Sequence, residues 1–208
     1  TTVTGDLTVP VPVLLEGTVT GAGKLTLAAA MTWTVGTVSL AGGLEVGAAQ
    51  TLTVSTSNQH VLIGPLTNHG TVAWTDGVFY IQSTNAVVNA IDGVWEVQGD
   101  RTLTSSSCGA PTFTNVGLLR KTAGTGAMTV ASCVALTNTG TLDLQSGALA
   151  VQAPAGLTNS GQVTVGAGTT FYLAGVTLES GSTFSGTGTL RMNGTTTVPI
   201  RSPIFSVR

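Results

Sequence analysis

The sequence predicts an all-β protein, a right-handed parallel β-helix (β-solenoid) of about eight rungs with a period of about 23 residues, and three observations predict it. First, the block Leu136-Thr137-Asn138-Thr139-Gly140-Thr141-Leu142-Asp143-Leu144 recurs. Near copies read Leu66-Thr67-Asn68-His69-Gly70-Thr71-Val72-Ala73-Trp74, Phe113-Thr114-Asn115-Val116-Gly117, Leu157-Thr158-Asn159-Ser160-Gly161-Gln162-Val163-Thr164-Val165 and Phe184-Ser185-Gly186-Thr187-Gly188. Second, glycines followed by apolar residues two and four places on (Gly23, Gly42, Gly70, Gly93, Gly117 with Lys121 at its second apolar place, Gly140, Gly161, Gly188) are separated by 19, 28, 23, 24, 23, 21 and 27 residues. One such repeat cannot bury its apolar face until a neighbour stacks on it. Third, each copy alternates apolar and polar with a strand's period of two, as in Leu142 and Leu144 or Trp95 and Val97. Nothing helical of useful length interrupts this pattern.

Taken in order, residues 1–22 carry Thr-Val alternation and the step Val9-Pro10-Val11-Pro12, which lacks two backbone donors and suits an edge segment. They are expected to form an irregular N-terminal coil or cap. The solenoid proper is expected over 23–194, beginning with Lys24-Leu25-Thr26-Leu27 and Gly43-Leu44-Glu45-Val46. Trp74, Phe79, Tyr80 and Trp95 form aromatic rungs between Gly70 and Gly117, with both tryptophans at inward positions that fill a wide core; a sugar-stacking role would need them outward. From Thr195 the pattern breaks at Pro199 and Pro203, so 195–208 is read as a tail, cap or inter-subunit segment. A start at Thr1-Thr2-Val3, with no Met and no signal-peptide pattern, is read as processing or excision from something longer.

Composition narrows the class. The chain has 28 glycines and is 42% hydrophobic, but only 8% charged, against about 25% in an ordinary soluble domain. Thr, Ser, Asn and Gly take the place of charge. This suits stacked columns, where like charges roughly 4.8 Å apart would repel. A net charge of −2 with no basic stripe argues against nucleic acid, and no apolar run is long enough to span a membrane.

Stacking turns matching letters into columns. Asn68, Asn115, Asn138 and Asn159 stand two before their glycines, with Ile91 interrupting, and stacked Asn side chains hydrogen-bond along a column. Asn and Gly also tolerate the left-handed backbone of a sharp corner. Glu96, Arg120 and Asp143, three after theirs, should form an outward ladder of alternating charge, each pair worth about 0.2–1 kcal/mol. Cys108 and Cys133 precede the Asn corner on successive rungs, close enough for a disulfide and hence an oxidising setting. Two small buried thiols are the alternative.

Chemistry is sparse. Enzymatic β-helices need carboxylates converging on one groove, holding Ca²⁺ or working as an acid and base pair, and the chain has nine acidic residues in all. Asp76 and Asp100, with Arg101 beside them, could be neighbours; Asp76-Gly77 and Gly99-Asp100 are also ordinary turn pairs. His60 and His69 have no partner at metal-ligand spacing, so no catalytic residue, metal or cofactor is assigned. Asn193-Gly194-Thr195 fits the N-glycosylation pattern. A Thr-x-Thr face of the ice-binding kind is suggested by Thr32 and Thr34, Thr51 and Thr53, and Thr102 and Thr104, each nine and eleven places after a glycine. Thr is also a plain strand former.

The rungs from Asn138 to Leu149, preceded by Arg120-Lys121-Thr122-Ala123-Gly124-Thr125-Gly126, resemble the β-solenoid repeats of large bacterial secreted and cell-surface proteins of the adhesin and autotransporter kind. The resemblance covers about residues 23 to 194 as a repeat style, without a motif that carries functional residues. It implies a non-enzymatic stalk, spacer or adhesive surface, secreted or on a cell surface. Its partners would be copies of itself end to end, or a surface glycan or ice. A subunit of a self-assembling fibre is the other expectation.

Overall fold

A computed structural model describes residues 1–82, 84–106, 108–152, 154–192 and 196–197. It is a parallel β-solenoid of about nine turns with a period of about 21 residues. Each turn contributes short strands to three parallel sheets, which hold ten, ten and nine strands among the described residues. They are called sheets A, B and C. Sheet A runs from the strand Thr2–Val3 to Thr189–Met192, sheet B from Leu7–Val9 to Thr196–Thr197, and sheet C from Val13–Leu15 to Thr183–Gly186.

Residues 1–22 supply strands to all three sheets and pair in register with the turn that follows, Thr2 with Thr20, Leu7 with Leu25 and Val13 with Met31. The N-terminal stretch is thus the first turn of the solenoid. Pro10 and Pro12 lie in the corner between two of its strands, where missing N–H groups interrupt no ladder. At the other end Thr196–Thr197 extends sheet B by pairing with Val176 and Thr177. The Asn193 acceptor pattern and the rest of the 195–208 tail lie outside the described residues.

Turn length varies widely. Thr2 lies beneath Thr20, an offset of 18 residues, whereas Thr102 lies beneath Thr129, an offset of 27. The corners absorb this variation while the strands stay in register, because slipping by one residue would turn every inward side chain out. Glycines with the same local pattern also do not all mark the same corner. Gly23 and Gly42 come just before sheet-B strands, Gly70 to Gly161 just before sheet-C strands, and Gly188 just before a sheet-A strand.

The interior is a mainly apolar stack into which Lys121, His60 and several asparagines are set. On sheet C one inward column runs Leu15, Trp33, Val54, Trp74, Val97, Lys121, Leu144, Val165. Trp33, Trp74, Trp95, Phe79 and Phe113 are fully buried and meet edge to face, with centroid separations from 4.8 Å (Trp95 to Phe113) to 5.9 Å (Trp74 to Phe79). This geometry suits the ring quadrupoles and makes the tryptophans core residues.

The recurring glycines are required for a reason other than a left-handed backbone. Gly70, Gly93, Gly117, Gly140 and Gly161 do not have positive φ. A Cβ on Gly93 would lie 2.3 Å from the Asn68 carbonyl oxygen, and one on Gly140 would lie 2.3 Å from that of Gly117. The corner brings backbone against the backbone of the turn below, so only hydrogen fits.

Candidate functional site

Stacking places the outward features of the described residues on three faces and three corners, where groups from distant parts of the chain converge.

At the B-to-C corner, a file of five buried asparagines runs through Asn68, Asn89, Asn115, Asn138 and Asn159. Each Nδ2 donates to the next Oδ1 at 2.7 Å, and Asn68 Oδ1 accepts from Gly70 N at 3.1 Å. Asn89 replaces the expected interruption at Ile91. In this turn Ala90, Ile91, Asp92 and Gly93 separate Asn89 from the next strand, two residues more than separate Asn68 from Thr71. The surplus bulges outward, leaving Ile91 82% exposed, and the Asn keeps its inward place. The repeat Thr-Asn or Val-Asn ending five successive sheet-B strands was the available signal. Counting back from the glycine misses it.

On sheet C, Glu96, Arg120 and Asp143 are consecutive Cα partners on the outer face. Arg120 gives both Nε, at 2.7 Å, and Nη2 to Glu96 Oε2. Asp143 instead accepts from Gln145 Nε2 at 2.6 Å, so the ion pairing closes on the Glu96 side. Burial pushes the Glu96 carboxyl up, but hydrogen bonds from Gln98 and Arg120, with the Arg120 charge, outweigh it and hold the group below its ordinary range.

The C-to-A corner holds two further ion pairs. Asp76 accepts from Arg101 Nη1 at 2.8 Å, and Asp100 accepts from Lys121 Nζ at 3.0 Å. Lys121 occupies a core position between Val97 and Leu144, and its side chain is 1% exposed. Its ammonium reaches the corner to meet Asp100, Ala123 O at 2.6 Å and Gly124 O at 3.2 Å, which uses all three of its protons. The hydrogen bond from Lys121, followed by the backbone N–H of Gly126, holds the Asp100 carboxyl below its usual range. Each of the two carboxylates is thus taken up by its own cation.

The histidines sit apart. His60 is fully buried beside Trp33, its Nε2 2.9 Å from Ser55 O, whereas His69 is on the surface with Nδ1 2.9 Å from Asp92 Oδ1. The bond to His69 lowers the Asp92 carboxyl. Among the described residues no three His, Cys, Asp or Glu side chains gather where a metal ion would sit.

The six threonines proposed as one face fall on two sheets. Thr32 pairs with Thr53 on sheet C, Thr51 pairs with Thr71 one position over, and Thr34 turns its Oγ1 back to Leu15 O at 3.1 Å. Thr102 and Thr104 are on sheet A beside Val78 and Tyr80. Gly23 and Gly42 open sheet-B strands and Gly93 a sheet-C strand, so a fixed offset from a glycine lands on different sheets.

A longer threonine file lies on sheet B. Its outward positions run Thr8, Thr26, Glu45, Thr67, Val88, Thr114, Thr137, Thr158, Thr177, Thr197, eight threonines in ten successive strands. The one charge, Glu45, pairs with Lys24 at 2.8 Å, which raises the Lys24 ammonium. Part of the file was visible in the sequence as the Thr of the three Leu-Thr-Asn copies, Thr67, Thr137 and Thr158.

Cys108 and Cys133 form a disulfide with Cα atoms 4.7 Å apart, joining the A-to-B corners of adjacent turns. Spacing in the repeat, rather than spacing in sequence, brings them together.

No family model, no curated protein and no solved structure matches the chain. The architecture therefore rests on the repeat and its register. Among the described residues no helix is long and apolar enough to cross a membrane.

Proposed function

We propose that this chain is a non-enzymatic structural module of a secreted or cell-surface protein, a stiff stalk or spacer whose outer columns meet other surfaces. The observation that carries the reading is that outward side chains form columns along the length of the solenoid instead of a cluster around a cleft. The charged groups that do meet are taken up in pairs, as with Asp76 and Arg101 or Asp100 and Lys121. A disulfide between adjacent turns fits an oxidising compartment. The adhesin-like repeat style fits the same setting.

Surface binding is the second reading, and the sheet-B threonine file favours it. Hydroxyl and methyl groups recur along it with the strand spacing, about 4.8 Å, nearly free of charge. An ordered, uncharged partner such as an ice face or a surface glycan matches such a file better than a charged polymer does. Fibre formation is the third reading. The first turn leaves Leu7, Val11 and Leu14 exposed, and the last leaves an apolar hollow lined by Val165, Phe184 and Leu190.

One set of measurements separates these readings. Sedimentation velocity across a concentration series is expected to give an elongated monomer for a stalk. Growth of the sedimentation coefficient with concentration supports the fibre instead. Glycan-array binding or ice shaping by the monomer supports the surface reading, and a compact, globular frictional ratio removes the stalk.

A further inference from the structure

The Cys108–Cys133 bridge is placed at the surface, beside open space. Cys108 is exposed and Cys133 half-buried. Both line a hollow of about 260 Å³ with Ala110, Ser132, Pro154 and Ala155, small side chains that leave room for an incoming reagent. The bond also does not stand alone in joining its two turns. Thr112, Phe113, Thr114 and Asn115 pair directly with Ala135, Leu136, Thr137 and Asn138, and Asn115 Nδ2 donates to Asn138 Oδ1 at 2.7 Å. Structural disulfides whose loss unfolds a domain usually sit where little else closes the chain. Here a ladder and a buried amide file already close it.

We propose that Cys108–Cys133 is a thiol-exchange site, attacked in the folded protein by a small external thiol that enters this hollow. The thiolate attacks Sγ of the more exposed Cys108. The bond to Cys133 breaks, Cys133 leaves as a thiolate, and Cys108 carries the external thiol as a mixed disulfide. A second external thiolate then displaces Cys108, giving the dithiol protein and the oxidised external disulfide. Atoms and electrons balance at each step, and the external thiol is the only reductant. Because the neighbouring strands remain paired, the two cysteines stay at adjacent corners and the bridge re-forms on oxidation. The site is a point at which a low-molecular-weight thiol, or a thiol-bearing partner small enough for the hollow, attaches reversibly to the solenoid.

The test uses the full chain incubated with excess reduced glutathione under native conditions, acid-quenched, and read by intact mass and peptide mapping alongside far-ultraviolet circular dichroism. The expected result is a transient single glutathione adduct mapped to Cys108 that gives way to the dithiol chain, while the β signal is unchanged. Ser132→Trp, which fills the hollow, should slow adduct formation roughly tenfold in the folded protein and leave it unchanged in concentrated guanidinium. Adduct formation only in denaturant overturns the proposal, as does loss of β signal in step with reduction. A Ser132→Trp chain that exchanges at the unsubstituted rate assigns entry elsewhere and overturns the hollow's role. None of these outcomes bears on the stalk reading, which sedimentation tests separately.

Discussion

Asn89 Nδ2 donates to Asn115 Oδ1 at 2.7 Å across 26 residues of chain, and its own Oδ1 accepts from Asn68. The middle of the file therefore has a neighbour on each side. Asn89→Ala removes both partners at once: Asn115 Oδ1 loses its donor, Asn68 Nδ2 is left with Val94 O alone, and Gly93 O and Leu118 O lose the amide that donated to them, at about 1–3 kcal/mol for each buried group left unmatched. Asn159→Ala at the file's end strands only Asn138 Nδ2, which keeps longer contacts to Gly140 O and Gln162 O. Denaturant unfolding should rank Asn89→Ala as clearly the costlier. Equal midpoints would show that the file is not acting as a connected column.

Lys121 makes a contrasting case. Its ammonium is satisfied, but an ion pair reaching out of an apolar core is weak evidence for stability, because desolvation offsets the attraction. Lys121→Met, close in shape and without a charge, is expected to leave the unfolding midpoint unchanged or raise it. Asp100→Ala removes the counter-charge and leaves the buried ammonium with two carbonyls, at a cost of about 3 kcal/mol. If Lys121→Met proves as damaging as Asp100→Ala, the pair contributes more than its desolvation costs, contrary to this account.

Stability should also fall in acid. Glu96, Asp92 and Asp100 all have carboxyls held below their ordinary values. The unfolded chain therefore binds protons first as pH drops. Their contribution is fully present above the unfolded values, about 4, and is lost as pH falls through the lower folded ones. Lys24 has the opposite sign: its raised ammonium adds stability that is lost only as pH rises beyond its ordinary value of 10.5. Melting followed from pH 6 down to about 2 should show the acid loss, with a shallower slope for Glu96→Gln. A slope unchanged by that substitution would place the acid sensitivity elsewhere.

The fold was legible because inward letters such as Leu142 and Leu144 repeat with the strand period, and a one-residue slip would expose them all. Residues near a corner glycine within one sheet were legible too, which is why Asn115 and Asn138 could be stacked from sequence. What could not be read was the number of residues in each corner. A corner faces water, so Ile91 and Asp92 can be added to it at little cost, and any count that crosses it drifts. Asn89 is hidden for that reason, whereas Thr102 parts from Thr51 because Gly42 and Gly93 open strands of different sheets. The pairing of Arg120 with Glu96 over Asp143 was equally hidden, since a ladder of letters does not say toward which neighbour a long side chain leans.

The threonine file offers the most direct test of a surface role. Thr114 and Thr137 are Cα partners near its middle, half-buried by their neighbours and free of adjacent charge. Thr114→Lys with Thr137→Lys sets two ammonium groups one strand spacing apart, about 4.8 Å at the backbone, on a face that is otherwise nearly neutral. Flexible lysines can splay into water, so the fold should survive with a stability loss under about 1 kcal/mol. A rigid, regularly spaced partner cannot follow them. If sheet B is the contact face, ice shaping or retention on a glycan array should be abolished in this double variant. The same activity should persist in Thr164→Lys, which lies on the outer face of sheet C. Equal loss from both variants would point to bulk charge, and loss only from Thr164→Lys would move the contact to sheet C.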